Sequence, residues 1–247
     1  MKWRLLAVVL LFTVPAFSQI LNIEAYRINT DTTGWAGQTG FNFSLTKNTK
    51  TLINIGNDTH VQYKTLKHLI LFLGKYNLLL SDDDNLIDKT VLHLRYNYFL
   101  TPKLTAEAFV QGQRNVVSNI DFRGLAGWGL RIKCSANPEF PLFLGSTLMY
   151  EHEETTLNTT QDLWRWSNYI SLTYKQGKQF SFVNTTYFQP AFEDFSDYRL
   201  SSQNSLIFLI SEHLRFKSVF NLYYDSKPVV GIPNTQYQLT SGLVYKF

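Results

Sequence analysis

The sequence predicts an all-β fold, an antiparallel transmembrane β-barrel of about 12 strands with short periplasmic turns and longer outer loops. Three observations carry that expectation. Apolar and polar residues alternate with period two through segments of roughly 10 to 15 residues, the pattern of strands with one oily and one polar face. The connections alternate between short and long, as the two ends of an outer-membrane barrel require. Aromatic residues make up 15% of the chain and gather near segment ends, where interfacial girdles lie.

The first 18 residues stand apart. Lys2 and Arg4 precede an apolar run that closes on Ala16-Phe17-Ser18, the form of a secretory signal peptide cleaved before Gln19. A membrane-spanning helix needs roughly 20 apolar residues, and this run is shorter. Residues 19–33 then read as a periplasmic lead or a plug segment, and residues 34–247 as the barrel. Removing Lys2 and Arg4 takes the formal charge from +4 to +2, which argues against nucleic acid as a partner. A single cysteine, Cys134, cannot form an intramolecular disulfide, so stability must come from the sheet.

The strands follow in order. The first half predicts strands over 35–46, 51–63, 68–80, 90–100, 104–116 and 125–135; the second predicts 142–153, 163–175, 179–189, 199–210, 214–225 and 236–247. Short turns at 65–67, 101–103, 137–141, 176–178 and 211–213 separate alternate pairs. Longer polar stretches at 81–89, 117–124, 154–162, 191–198 and 226–235 separate the others, and only the 47–50 turn is short on the outer side. Within the eighth segment Trp164, Trp166, Ile170, Leu172 and Tyr174 oppose Arg165, Ser167, Tyr169 and Ser171. The last segment alternates to a C-terminal phenylalanine, so its outer edge must pair with earlier strands, most simply with the first. Tyr245 and Phe247 also have the form of the signal that the outer-membrane assembly machinery reads on a final strand.

A secreted β-sandwich would alternate as well. Its strands usually run about five or six residues, whereas a tilted membrane strand needs about 9 to 11, and most segments here meet the longer requirement.

From Thr185 to the C-terminus the chain resembles the domain-of-unknown-function 481 family, sometimes labelled salt-induced outer-membrane proteins. The resemblance rests on Gln189-Pro190, Asp194-Phe195-Ser196-Asp197-Tyr198-Arg199, Tyr224-Asp225-Ser226-Lys227-Pro228 and Gly242-Leu243-Val244-Tyr245-Lys246-Phe247. Trp35-Ala36-Gly37 and Lys47-Asn48-Thr49 are similar to the family's first hairpin, with Lys47 where a glycine is frequent. Aromatic-rich strands and the Gln19 start are similar to Bacteroidetes-type members. The resemblance implies an outer-membrane barrel in a Gram-negative bacterium and supplies no catalytic residues.

Site residues must therefore be read from chemistry. With the oily stripe facing lipid, His93, Arg95, Glu107, Arg131, Lys133, Glu151, Arg165, Arg215 and Lys217 face the lumen. A charge on the lipid face near midplane would cost about 2–4 kcal/mol. Inward Phe109, Tyr169, Tyr187 and Tyr223 would narrow or plug that lumen. Glu193, Asp194, Asp197, Arg199 and Asp225 mark outer loops where lipopolysaccharide or a polar solute could bind, or where Asp194 and Asp197 pair with Arg199. Glu151 and Glu153 converge on one strand face while His152 and Glu154 point away, and Asp82, Asp83 and Asp84 lack the spacing of a calcium loop, so no metal is expected. No Gly-x-Ser-x-Gly or His-Glu-x-x-His motif is present. The expected function is passive: a narrow channel, a solute-binding protein or a structural element of the envelope, with no cofactor. Its expected partners are outer-membrane lipids, lipopolysaccharide and the assembly machinery. An outer-leaflet enzyme acting on lipid or peptide is the alternative, and the oligomeric state stays open.

Overall fold

A computed structural model describes residues 33–47, 51–81, 85–211 and 214–245. The leader, Asp82 to Asp84 and Phe247 lie outside the described residues, as does the 19–33 segment except Thr33. Twelve strands follow one another: β1 Gly34–Lys47, β2 Thr51–Lys64, β3 His68–Ser81, β4 Asn85–Phe99, β5 Leu104–Asn115 and β6 Ile120–Lys133, then β7 Leu142–Thr155, β8 Thr160–Gln176, β9 Phe180–Pro190, β10 Tyr198–Leu209, β11 Leu214–Asp225 and β12 Thr235–Tyr245. They form one antiparallel sheet in sequence order. A two-sheet sandwich is thereby excluded.

Alternation dictates which side chains share a face. On β7, Thr147, Met149, Glu151 and Glu153 are buried on one side, and Leu144, Ser146 and Tyr150 are exposed on the other. On β3 both faces are apolar: Leu69, Leu71 and Leu73 are buried, while Ile70 and Phe72 are exposed. Leu71, Leu73 and Val91 of β4 form an apolar cluster inside an otherwise polar interior.

Side-chain bonds between strands that are not sheet neighbours show the curl of the sheet. Tyr169 of β8 donates to Glu107 of β5 at 2.8 Å, and Arg199 of β10 reaches Glu153 of β7 at 3.2 Å. The polar face is therefore the inside of a twelve-stranded barrel fold. Antiparallel ladders join each strand to the next from β1 to β12. The β12–β1 ladder expected from the C-terminal strand is not among them within the described residues. Consistent with two edges, Phe41 of β1 is 83% exposed and Leu239 of β12 is 65% exposed.

Three strands begin three to five residues earlier than the sequence periodicity predicts. β4 starts at Asn85, β6 at Ile120 and β8 at Thr160, against expected starts at residues 90, 125 and 163. In each case the ladder continues into residues that read as loop by their polarity; Arg123 pairs with Glu153, for example. Shifts in register at Gln113/Asn115 and Ile120/Phe122 accommodate a short 3-10 turn, Val116–Ser118, between β5 and β6.

Candidate functional site: a charged interior

At the end of the barrel bearing the 191–197 and 226–234 connections, three arginines and four carboxylates meet on the inner wall. The alternation of β7 aims Glu151 and Glu153 inward together, and β6, β8 and β10 each deliver one guanidinium at matching height. Arg165 donates through Nε to Glu151 Oε2 at 2.7 Å and through Nη1 to Asp197 Oδ1 at 2.9 Å. The same Nη1 also reaches the carbonyl oxygens of Gln189 and Asp197, at 3.2 and 3.3 Å. Arg123 donates to Glu153 Oε2 at 2.6 Å and lies 3.2 Å from Glu151 Oε1. Arg199 holds Asp225 Oδ2 at 2.8 Å, Glu153 at 3.2 Å and Glu151 in a short contact.

Arg165 and Glu151 are only 1% and 2% exposed. Desolvation of so many ions is costly, and their mutual geometry offsets it only because nearly every lobe of each guanidinium has an acceptor. Three cations against four anions leave a single net negative charge, so this wall of the barrel is close to neutral.

Deeper in the barrel the same theme recurs on a smaller scale. Arg95 Nη1 contacts Glu107 at 3.3 Å, Glu107 accepts from Tyr169, and His93 bonds Gln111 through Nδ1 at 3.0 Å while stacking on Phe109. A crevice of about 30 Å³ lies among these side chains, roughly the space of two water molecules. Arg131 lies 3.7 Å above the ring of Phe143, a cation–π contact.

Two glycines make room for this filling. A Cβ on Gly145 would lie 2.0 Å from the Tyr169 ring, and one on Gly129 would lie 2.0 Å from the carbonyl oxygen of Ser146. Tyr169 therefore covers Gly145 of the adjacent strand, which sets its hydroxyl against Glu107.

The remaining wall is different. Lys75 of β3 and Lys217 of β11, four strands distant through the seam, are near enough for their charges to interact. Lys75 also pairs with Asp58 at 3.4 Å, an aspartate with 69% of its side chain exposed.

The residues read as lumen-facing are thus found at three sites. Glu151 and Arg165 sit in the large network. His93, Arg95 and Glu107 sit in the small one. Arg131, Arg215 and Lys217 line the interior nearer the opposite end, and Lys133 is exposed at the end of its strand. The outer-loop set divides between the inner network and the rim. Asp197 turns inward to Arg165 and Arg199 joins the network with Asp225, while Asp194 bonds Lys227 at 2.6 Å and Glu193 is exposed. The pairing of Asp194 and Asp197 with Arg199 is accordingly replaced by other partners, because Arg199 is saturated by Glu151, Glu153 and Asp225. The Asp194 carboxyl is held well below its usual range, chiefly by the hydrogen bond from Lys227, with Ser196 adding to it. Arg123 falls within the 117–124 stretch that the sequence predicts as loop, whereas β6 begins at Ile120; the continuing alternation Phe122, Arg123, Gly124, Leu125 is the signal that marks it. His152 faces outward with Asp162 at 2.8 Å and Glu154 at 3.1 Å.

Fold and interior together define a porin-like β-barrel fold whose inner wall carries buried networks of charged and polar side chains. The chain belongs to the DUF481 family of proteins of unknown function, whose family model matches residues 29–247. No curated protein matches it. Among solved structures it is similar to the NanC porin, at 10% identity and a TM-score of 0.53, over 86% of this chain and 100% of that one. It also aligns with OccK11 (OpdR) of Pseudomonas aeruginosa at 11% identity and a TM-score of 0.40, covering 85% of this chain and 79% of the other.

Proposed function

We propose that the protein is an outer-membrane barrel of a Gram-negative bacterium that acts passively, as a narrow channel favouring small anions. The observation that carries this reading is the inequality of the two inner walls. At the end bearing the 191–197 and 226–234 connections the charges of β6 to β11 are buried and nearly neutralised, which closes that side to solutes. Elsewhere on the inner wall Lys75 and Lys217 lie near enough for their charges to interact, Lys75 also pairing with Asp58, and Arg215 shares that face of β11. A surplus of cations on an inner wall attracts anions into a narrow pore. Export through a cleaved signal peptide, an assembly signal at Tyr245 and Phe247, and contact with outer-membrane lipid and lipopolysaccharide belong to the same proposal.

The histidines support a passive role over an enzymatic one. His152 has two acids but no serine among its partners, and His93 is stacked on a ring in the interior. A general base needs its nucleophile within hydrogen-bond reach.

Planar-bilayer recording of the mature protein tests the reading. Small discrete conductance steps are expected, with a reversal potential in a potassium chloride gradient displaced toward chloride. The double variant Lys75→Gln and Lys217→Gln should bring that displacement toward zero. Absence of any conductance across repeated insertions would overturn the channel and leave a structural barrel.

A further inference from the structure

The outward face of the barrel is not uniform. On β3 to β6 its middle is wholly apolar, built from Phe72, Leu92, Leu94, Ala108, Val110 and Trp128. On β9 and β10 the corresponding stretch carries Asn184, Thr186, Ser202 and Asn204, and Asn168 of β8 lies beside them in register with Phe188; all five are half-buried and point outward. Asn184 donates to Asn204 at 2.8 Å, Thr186 and Ser202 bond at 2.9 Å, and Asn204 donates to Ser202 at 3.3 Å. The band continues sideways, with the Trp166 indole on Ser146 at 2.8 Å and Ser218 on Ser241 at 2.9 Å.

Two rows of rings fix its depth. Phe188, Tyr198 and Tyr224 stack successively at 5.5 Å on one side, and Phe180, Phe208 and Phe216 follow at 5.0 and 6.4 Å on the other. Asn184 lies midway between Phe180 and Phe188 on β9, and Ser202 and Asn204 lie midway between Tyr198 and Phe208 on β10. If the rings are interfacial girdles, the band sits at the bilayer midplane, where polar side chains are rarely left against hydrocarbon. The ladder satisfies only part of its own capacity. A carboxamide has two N–H donors and an acceptor oxygen, and Asn168 uses one donor, to the Trp166 carbonyl at 3.3 Å.

Beside the band the wall is indented. A groove of about 550 Å³ has Ser146, Asn168 and Thr186 along it and is bounded by Ile132, Leu144 and Phe188.

We propose that this face, centred on β8 to β10, is the contact surface with a second copy of the same chain. The inference rests on the membrane-spanning reading above. Two copies inserted by one route share orientation, so an axis along the membrane normal brings both polar bands to the same depth. The band carries no charge, and its amides and hydroxyls are donors and acceptors at once, so it is complementary to itself, as a two-fold contact requires. The four strands β7 to β10, counting β7 for Ser146, at about 4.8 Å spacing in a band about 25 Å tall give a wall of about 480 Å². Two such walls approach the roughly 1,000 Å² that a specific interface needs. Lipid tails offer nothing to Asn168 or Asn204, whereas interhelical counterparts show that Asn and Ser join membrane segments.

The test uses full-length protein in its own outer membrane, with Cys134→Ser to remove the native thiol. Ser202→Cys should cross-link to a dimer with a short bismaleimide, and Ala108→Cys on the apolar wall should not. Combining Asn184→Leu and Asn204→Leu with Ser202→Cys should reduce the dimer at least tenfold while the heat-dependent gel shift of a folded barrel is kept. Equal cross-linking at both positions, linkage of Ser202→Cys to a different protein, or dimer unaffected by the leucines would overturn the proposal. Loss of the gel shift in the parent protein would instead sink the barrel reading beneath it, so the two failures are separable.

Discussion

Replacing Arg165 with methionine, which keeps the length of the side chain and removes its charge, should destabilise the barrel more than any other single change in the interior. Four hydrogen bonds vanish, to Glu151, to Gln189 O and to both the carboxylate and carbonyl of Asp197. Glu151 retains Arg123 and Arg199, but the Asp197 carboxylate, on a residue 5% exposed, loses its ion-pair partner. Removing one partner of a buried pair costs about 3–5 kcal/mol. At about 2–4 °C per kcal/mol for a chain of this size, the temperature of the folded-to-unfolded gel shift should fall by about 6–20 °C. Adding Asp197→Asn removes the stranded charge and should recover part of the loss, seen as a coupling energy of about 1–3 kcal/mol in a double-mutant cycle by urea titration in vesicles. A loss below about 1 kcal/mol for Arg165→Met, typical of solvated pairs, would refute the view that this wall is dry. Strict additivity of the two changes would refute the pairing.

Gly145→Ala should displace the Tyr169 ring, break its bond to Glu107 and cost about 1–3 kcal/mol in urea titration, with Tyr169→Leu restoring most of it. The Asp194–Lys227 clamp between the 191–197 and 226–234 loops is complete above pH 3.8, the ordinary value for the carboxyl, because its folded value is lower. It is lost as pH falls from there through the depressed value, so loop proteolysis at neutral pH should rise in Lys227→Gln and be unchanged in wild type down to about pH 4. Cys134, exposed at the end bearing the 134–141 turn, should react with a membrane-impermeant maleimide only after the outer membrane is permeabilised. Val230→Cys, at a residue 81% exposed, should react in intact cells, and the reverse result would invert the proposed topology.

Period-two alternation made the strands legible because each has an inside and an outside of opposite polarity. It fails where both sides have the same polarity. The stretch before Thr90 reads as loop since Asn85, Asp88 and Lys89 are polar on either face, yet Asn85 and Lys89 are laddered to Leu80 and Asn77. Inward placement of Glu151 and Arg165 follows from the same parity. Pairing with Arg199 does not, since curvature across three strands brings β10 to β7 and no local pattern encodes curvature; Arg123 is a ladder neighbour on β6 and is hidden only because that strand starts before Leu125. Asn168 shows another limit. Between Trp166 and Ile170 it looks like one exception in an oily stripe, and only the register with β7, which sets it opposite Ser146, reveals a neighbour of its own kind.

Asn119 adopts a left-handed backbone with φ of 56°, and from there its side chain donates to Val230 O at 3.4 Å while accepting from Thr156 at 3.3 Å. One surface amide thus moors the 226–234 loop over the rim opposite its own strands. A single long, solvent-exposed hydrogen bond contributes only about 1 kcal/mol, so the mooring breaks and re-forms through thermal motion on the nanosecond-to-microsecond scale of loops. In electrical recordings of the proposed pore, that traffic would register as excess noise on the open level, and Asn119→Gly would quieten or redistribute it without altering the mean current through the Lys75–Lys217 passage.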